Sequence, residues 1–244
     1  SLYYPERRPF FNEGSDLTAT ALNLFYSQTI ANPIGMTKYL GQGKNLRSYA
    51  MAGYDLSSPY LVPGENRDVV GTAGPSFASV LRFSQPRKDG ENLGFLSTNR
   101  FYMNGGSGHM NALTVRENFG ESWRYNGEYA WSYTAEPDTN WITDGATFGK
   151  YTAATDGERF NGFAASQRLI QTTRNWGTEI SWDYLGTSFR ADMGFVPINN
   201  RNNLNANRRY VGRPNGEVVK FYQVSAGTSA SITPQGLWKN QLLN

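Results

Sequence analysis

The stretch Ser122–Thr134, SWRYNGEYAWSYT, decides the fold class. Its residues alternate strictly between an aromatic set and a polar set, which is the two-residue period of a β-strand. A soluble sheet usually buries Val, Ile and Leu. Trp and Tyr suit a membrane–water boundary, because the ring meets apolar surroundings while its NH or OH reaches water. The stretch therefore predicts a strand with one lipid-facing side. The same residues also allow an aromatic-rich soluble strand, or a hairpin that turns at Asn126 and Gly127.

A second stretch, Trp176–Tyr184, repeats this alternation. We predict that the aromatic sides of the two strands face lipid through Trp123, Tyr125, Tyr129, Trp131, Tyr133, Trp176, Ile180, Trp182 and Tyr184. The polar sides would line a wet interior, where charges pair and stay hydrated. The candidates for that lining are Arg124, Glu128, Glu179 and Asp183.

Residues 197–209, PINNRNNLNANRR, are dense in Asn and Arg. Such a stretch is typical of a solvated loop, and it predicts a rim segment at the edge of the interior. Its guanidinium groups could also bind phosphate or sugar acids. We therefore take Arg201, Arg208 and Arg209 as rim candidates for binding.

The composition excludes several classes of protein. The 244 residues suffice for one all-β domain or two small ones, and with 18% charged and 14% aromatic residues the chain is not disordered by composition. The absence of Cys excludes disulfides and thiolate metal sites. The net charge of +3 is small and the Arg residues are scattered, so we predict no nucleic-acid partner. No stretch reaches the roughly 18 apolar residues of a membrane helix. Barrel strands escape that criterion, because polar residues dilute their apolar face.

Strand and turn signals divide the chain into two parts. Residues 1–16 form an irregular lead-in that Pro5 and Pro9 interrupt, and residues 17–244 form a β-barrel segment. We expect about ten to twelve strands joined as sequential hairpins, the first at Thr18–Ile30, with a strong Asp-Gly turn at Asp89 and a later turn at Pro214–Gly216. This order predicts an all-β, antiparallel, up-and-down barrel.

Catalytic signatures are weak. The one histidine, His109, lies in a polar stretch that predicts an exposed turn, and no zinc, catalytic-triad or nucleotide motif accompanies it. We therefore predict no catalytic residues, no metal site and no cofactor. Pairs of carboxylates leave a glycoside hydrolase open, since that chemistry needs only two facing carboxyl groups. The acidic residues on or near predicted strands are Glu117, Glu121, Glu128, Glu179, Asp183 and Asp192.

Two motifs resemble a family of bacterial outer-membrane barrel proteins. They are Tyr4–Leu17, YPERRPFFNEGSDL, and Ser188–Val196, SFRADMGFV, in which Met193 replaces the Leu of the family pattern. In that family a domain similar to carbohydrate-binding module family 9 precedes a C-terminal barrel of unknown function. The resemblance implies that the first motif leads into the barrel and the second lies near its middle. This chain lacks the sugar-binding-like domain, and the family continues well past the second motif, so the resemblance implies a partial barrel, the N-terminal half.

These observations predict a bacterial outer-membrane barrel protein without enzymatic activity. Its role would be the passage or docking of a polar solute, with a saccharide as one candidate, or a scaffold in an outer-membrane assembly. Its partners would be membrane lipid and either other outer-membrane proteins or the remainder of the same chain. The alternative is a soluble all-β carbohydrate-binding module, or a glycoside hydrolase that uses two carboxylates as acid and base.

Overall fold

The regular secondary structure of the described residues is almost entirely β-strand. The computed structural model describes residues 5–214 and 220–243. The short helices are α1 (Pro9–Asn12) and α2 (Ser15–Thr18). The strands are β1 (Pro33–Gln42), β2 (Arg47–Asp55), β3 (Ser58–Val62), β4 (Val69–Ala73), β5 (Ser76–Pro86), β6 (Asn92–Tyr102), β7 (Ser107–Phe119), β8 (Trp123–Ala135), β9 (Thr147–Phe148), β10 (Tyr151–Thr152), β11 (Arg159–Thr172), β12 (Trp176–Leu185), β13 (Arg201–Gly212), β14 (Tyr222–Ile232) and β15 (Trp238–Leu243). None of the helices in the described ranges is long and apolar enough to cross a bilayer.

One antiparallel sheet of 11 strands dominates the fold, in the order β1-β2-β5-β6-β7-β8-β11-β12-β13-β14-β15. Strands β3 and β4 pair with each other, as do β9 and β10, and each pair interrupts a connection of the large sheet. The predicted all-β, antiparallel, up-and-down order is therefore confirmed. Within the described residues β1 and β15 end the sheet, so the sheet is open.

Strand β8 carries the stretch that decided the fold class, and it runs without a turn. Asn126 pairs with Arg116 of β7 on one side and with Arg168 of β11 on the other. A hairpin at Asn126 and Gly127 is therefore excluded, because both neighbouring strands continue the ladder past this point. The predicted strand is confirmed almost residue for residue.

The strand expected at Thr18–Ile30 is wrong. Helix α2 ends at Thr18, a single 3₁₀ turn covers Ser27–Thr29, and the first strand begins at Pro33. The alternating apolar residues are explained by burial instead, since Leu24 and Ile30 are fully enclosed. The backbone N–H groups of Ala21 and Leu22 bond to the Glu128 carboxylate, and that of Tyr26 bonds to Met193 in the loop between β12 and β13, so these bonds do not go to a neighbouring strand.

Two further local predictions are wrong. The solvated loop expected at residues 197–209 is largely strand β13, in which Asn203, Asn205 and Asn207 lie on one side of the sheet and Asn202 on the other. His109 lies within β7, where Phe101 and Tyr133 contact its ring and its Nδ1 lies 2.8 Å from the acceptor Oδ1 of Asn99. Composition did not predict a strand at either place. The stretch 197–209 is rich in Asn and the stretch before His109 is rich in Gly, and both residue types are depleted in most strands. The turn expected at Pro214–Gly216 lies mostly outside the described residues.

The hydrophobic core lies on one side of the large sheet, which we call the covered face. Residues 5–32, the N-terminal segment, and residues 186–200, the β12–β13 loop, pack on it. The sheet contributes Met51, Val80, Leu96, Met110 and several alanines, and the covering segments contribute Phe11, Leu17, Leu24, Ile30, Phe189 and Met193. The two covering segments also bond to each other, since Tyr26 N donates to Met193 O at 2.8 Å and Phe195 N to Asn23 O at 2.8 Å.

A second, smaller core lies in the long connections at one end of the sheet. It joins the β3–β4 pair to the segment between β8 and β11 through Tyr60, Val62, Ile142, Phe148 and Phe160. The rings of Tyr60, Tyr102 and Trp141 contact one another edge to face. The long loops at this end therefore form a packed layer of their own, which we call the loop layer.

The opposite side of the sheet, which we call the open face, has no such cover in the described residues. Large apolar side chains lie exposed across it, including Leu81 at 40%, Leu113 at 45% and Trp131 at 47%. Register and alternation place all nine predicted lipid-facing residues on this face. Among the described residues, the charged residues at its strand positions are Glu117, Arg159 and Arg208. Glu117 and Arg159 lie within the terminal three residues of their strands, and Arg208 is the eighth of the twelve residues of β13.

Candidate functional site

Glu128 of β8 anchors the N-terminal segment to the covered face. Its Oε2 accepts the backbone N–H of Ala21 at 2.9 Å and its Oε1 accepts that of Leu22 at 3.0 Å. The side chain is buried. Strand alternation aims this carboxylate at the covering segment, and the charge-assisted bonds hold the segment at one height on the sheet. Both oxygens of this predicted lining residue are thus occupied by the protein itself.

A polar cavity of about 570 Å³ lies between the anchored segment and the covered face. This volume falls within the range of small-molecule binding sites. The charged residues that line it are Arg47, Arg82, Arg116, Arg168, Asp16 and Glu128. The four guanidinium groups come from strands β2, β5, β7 and β11, so the arginines converge from across the sheet. Cations outnumber carboxylates in the lining, which makes the cavity attractive to anions.

Arg82 is the most enclosed of these arginines, at 6% exposed. Its Nη2 donates to Thr114 Oγ1 at 2.8 Å. Gly94 on the adjacent strand makes room for it, since a Cβ there would lie 2.7 Å from Nη2. Among the described residues no hydrogen-bond acceptor reaches Nε or Nη1, and both atoms are buried. Buried donors without an acceptor are costly, so the hydrogen bonding of this guanidinium is incomplete.

A second cavity, of about 370 Å³, lies on the other side of the anchored residues. Ala21 lines both cavities. The second is lined by Asp183, Arg201, Asn203 and Asn205 together with the serines of β14. Asp183 accepts a hydrogen bond from Ser166 Oγ at 2.6 Å, so this carboxylate is also held by a neighbouring strand.

The remaining predicted residues divide between the two faces. Arg124 and Glu179 share the covered-face side with Glu128, and Glu179 pairs with Arg168 over 3.2 Å. Arg209 lies on the same side, opposite Gly177. Arg208 points the other way and lies over the Trp176 ring at 4.3 Å. The binding roles predicted for these residues stay predictions.

The second resemblance motif supplies a buried ion cluster. Arg190 Nη1 donates to Glu136 Oε1 at 2.6 Å, and its Nε lies 3.2 Å from Asp192 Oδ1. Tyr102 OH donates to Asp192 Oδ2 at 2.9 Å, and the Tyr60 ring covers the guanidinium at 4.2 Å. Burial raises the pKa of Glu136 to about 7 although Arg190 opposes this shift. These contacts fix the β12–β13 loop in place.

The first resemblance motif pins the N-terminal segment in a similar way. Arg8 pairs with Glu6 at 2.7 Å and donates to the backbone oxygens of Ile30 and Ser27 at 2.6 and 3.0 Å. Burial would raise the pKa of Glu6, but its bonds to Arg8 and Ser27 outweigh that effect and lower it to about 2. Both motifs therefore serve the cover of the sheet.

One group of carboxylates has the spacing of a cation site. Ligand oxygens of Glu136, Asp156 and Glu158 lie within 4.8 Å of one another, the one such group in the described ranges. Each also has a structural partner: Arg190 for Glu136, Thr152 Oγ1 for Asp156 and Thr152 N for Glu158. These bonds account for the group as part of the loop layer.

The four cavity arginines were not predicted as site residues from the sequence. Arg82 has the same strand parity as Ala78 and Val80, so a charged residue among small apolar ones was the available signal for a covered-face charge. The convergence of the other three depends on register across non-adjacent strands, which one sequence does not specify. No family model, curated protein or solved structure matches this chain.

Proposed function

We propose that this chain forms part of the wall of a bacterial outer-membrane β-barrel and docks or passes a polar solute along its covered face. The observation that carries the proposal is the open face, where exposed Leu, Ile, Trp and Tyr side chains meet no protein cover in the described residues. Contiguous exposed apolar surface of this extent marks a membrane or protein contact. The scarcity of charge between the strand ends favours lipid.

The dimensions of the strands support the same proposal. The strands β5 to β8 have 11 to 13 residues, and a tilted strand needs about 9–11 residues to cross a bilayer. Contacting rings also gather near both ends of the open face. Trp131, Phe163 and Tyr184 form one row, and Trp176 and Tyr210 belong to the other. Aromatic girdles at both interfaces are typical of outer-membrane barrels.

The proposed barrel needs strands beyond those described. Lipid cannot hydrate the free edges of β1 and β15, so the sheet must close through other strands. The remainder of the same chain or another outer-membrane protein would supply them. The covered face then provides the interior, where two polar cavities could hold a solute such as a saccharide. The glycoside hydrolase alternative has less support, because Glu128 is occupied by two backbone N–H groups.

The proposal is tested by fluorescence quenching in lipid vesicles. The full chain is reconstituted in phospholipid vesicles with and without brominated acyl chains, and its Trp emission is compared. We expect strong quenching, and a smaller quenched fraction for Trp131→Phe. The control Trp141→Phe removes a half-buried ring from the loop layer, so the quenched fraction should not fall. A detergent-free, monodisperse monomer whose emission bromolipid leaves unchanged would overturn the proposal.

A further inference from the structure

The larger cavity carries an excess of positive charge that its own walls do not neutralise. Arg47, Arg82, Arg116 and Arg168 face two carboxylates, Asp16 and Glu128. Glu128 already accepts two backbone N–H groups. Among the described residues it forms no hydrogen bond to a guanidinium group, although its charge lies close enough to act on Arg82. Arg168 is paired with Glu179 outside the lining, at 3.2 Å, so the guanidinium groups of Arg47, Arg82 and Arg116 remain without an ion pair among the described residues and outnumber the two carboxylates of the lining.

Arg82 makes this imbalance specific. A side chain 6% exposed normally satisfies its donors inside the protein, yet its Nε and Nη1 have no acceptor among the described residues. Buried arginine is usually kept by a carboxylate or phosphate that its planar fork can grip. Thr114 supplies one neutral acceptor and no charge.

We propose that this cavity binds the oxyanion of a small polar solute, a carboxylate or a phosphate, beside Arg82. The inference rests on the proposed docking of a polar solute and names its chemical class. The oxyanion supplies a negative charge next to Arg82. The exposed guanidinium groups of Arg47, Arg116 and Arg168 bind it from the solvent-accessible side of the cavity. Ser84, Asn92 and Asn126 in the same lining offer hydrogen bonds to the uncharged part of the solute.

The test is calorimetric titration of the full chain in non-ionic detergent micelles. The probes are sodium glucuronate, inorganic phosphate and glucose. We expect at least one of the two anions to bind, and to bind at least about tenfold more tightly than glucose, because a charged oxygen accepts a stronger hydrogen bond from a guanidinium than a neutral sugar hydroxyl does. If only glucuronate binds, the carboxylate is the source of the oxyanion; if only phosphate binds, the phosphate is. If both bind and compete, one site takes the shared group.

Matched arginine variants locate the binding. Arg116 and Arg124 are both exposed, and each Nε donates to an Asn on the adjacent strand, at 3.0 and 3.1 Å. Only Arg116 lines the cavity. Arg116→Gln should weaken anion binding about threefold, as expected for one exposed charge, while Arg124→Gln should leave it unchanged. Arg82→Gln should weaken it about tenfold or more if the variant folds.

Three results would overturn the inference: no binding of either anion by the folded chain, equal binding of glucose, or equal effects of Arg116→Gln and Arg124→Gln. Binding in micelles does not require insertion into vesicles. A chain that binds the anion but escapes bromolipid quenching would therefore refute the membrane proposal alone. A chain that is quenched but binds no anion would refute this inference alone.

Discussion

A charged residue introduced at the centre of the open face distinguishes a sheet that contacts lipid from a sheet that contacts water. Leu113 is the middle residue of the 13-residue strand β7 and is 45% exposed. At about 3.4 Å per residue, roughly 20 Å of strand extends on each side of it. In a tilted membrane strand this residue lies near the bilayer midplane. The substitution Leu113→Arg therefore places a guanidinium where lipid tails would be.

The two environments predict different free energies of unfolding. An arginine on the lipid face at the midplane costs about 2–4 kcal/mol, whereas near the interface the cost falls to about 0–1 kcal/mol. On a solvated surface a substitution at a half-exposed site usually changes stability by about 0.5 kcal/mol or less. The control Glu121→Arg introduces the same side chain in the exposed turn between β7 and β8, so it should stay within about 0.5 kcal/mol.

The measurement is equilibrium urea unfolding of the full chain in phospholipid vesicles, followed by Trp fluorescence. We expect the midpoint for Leu113→Arg to fall clearly below those of the unmodified chain and of Glu121→Arg, with unchanged slopes. Equal midpoints for the two variants would mean that Leu113 does not meet lipid. That result would refute the argument from the open face.

Three further predictions concern the cover of the sheet. Gly162→Ala should release the β12–β13 loop to limited proteolysis, because a methyl group there would overlap the backbone of Phe189, while Gly35→Ala, with nothing within 4 Å, should not. Arg190→Met should lower the free energy of unfolding by about 3–5 kcal/mol in chemical denaturation, since it leaves buried carboxylates unpaired; an unchanged midpoint would contradict this. The pKa of Glu136 is raised from 4.5 to about 7. The free energy of unfolding should therefore fall as pH rises between these values, because the unfolded chain releases this proton first. Glu136→Gln should flatten that slope, and an unaltered pH profile would argue against it.

The strands were predictable where both sides of the pattern were strong. In Trp123–Tyr133 of β8 and Trp176–Tyr184 of β12 every second residue except Gly127 and Thr178 is large and apolar or aromatic, so the period alone predicted the element, its parity and its two faces. Asp89 and Gly90 have positive φ values of 55° and 79°, as a turn between two strands demands. These features are local, and a local pattern is what one sequence displays.

The cover of the sheet was not predictable by the same means. Leu22, Leu24 and Tyr26 alternate like a strand, yet Leu22 N bonds to Glu128 more than a hundred residues away. A carboxylate can accept the backbone N–H bonds that a neighbouring strand would otherwise accept. Hydrophobic periodicity does not reveal which of the two acceptors is present. Strand β13 shows the opposite error, since its sequence looks like a loop but forms a strand. Strands usually favour β-branched residues, but Asn203 and Asn205 face a polar cavity, where Asn is suitable.

The two motifs that carry the family resemblance are far apart in sequence but form one structure. Glu6 and Arg8 pin the N-terminal segment, Arg190 and Asp192 pin the β12–β13 loop, and the two pieces bond to each other between Tyr26 and Met193. Glu6, Arg8, Arg190 and Asp192 therefore hold the cover in place, which removes them as candidates for solute contact, whereas Asp16 of the first motif lines the larger cavity. The four cavity arginines do not belong to the residues that hold the cover in place. Because Glu128 holds residues 21 and 22 between the two cavities, the cover also decides the shape of the space in which those arginines act.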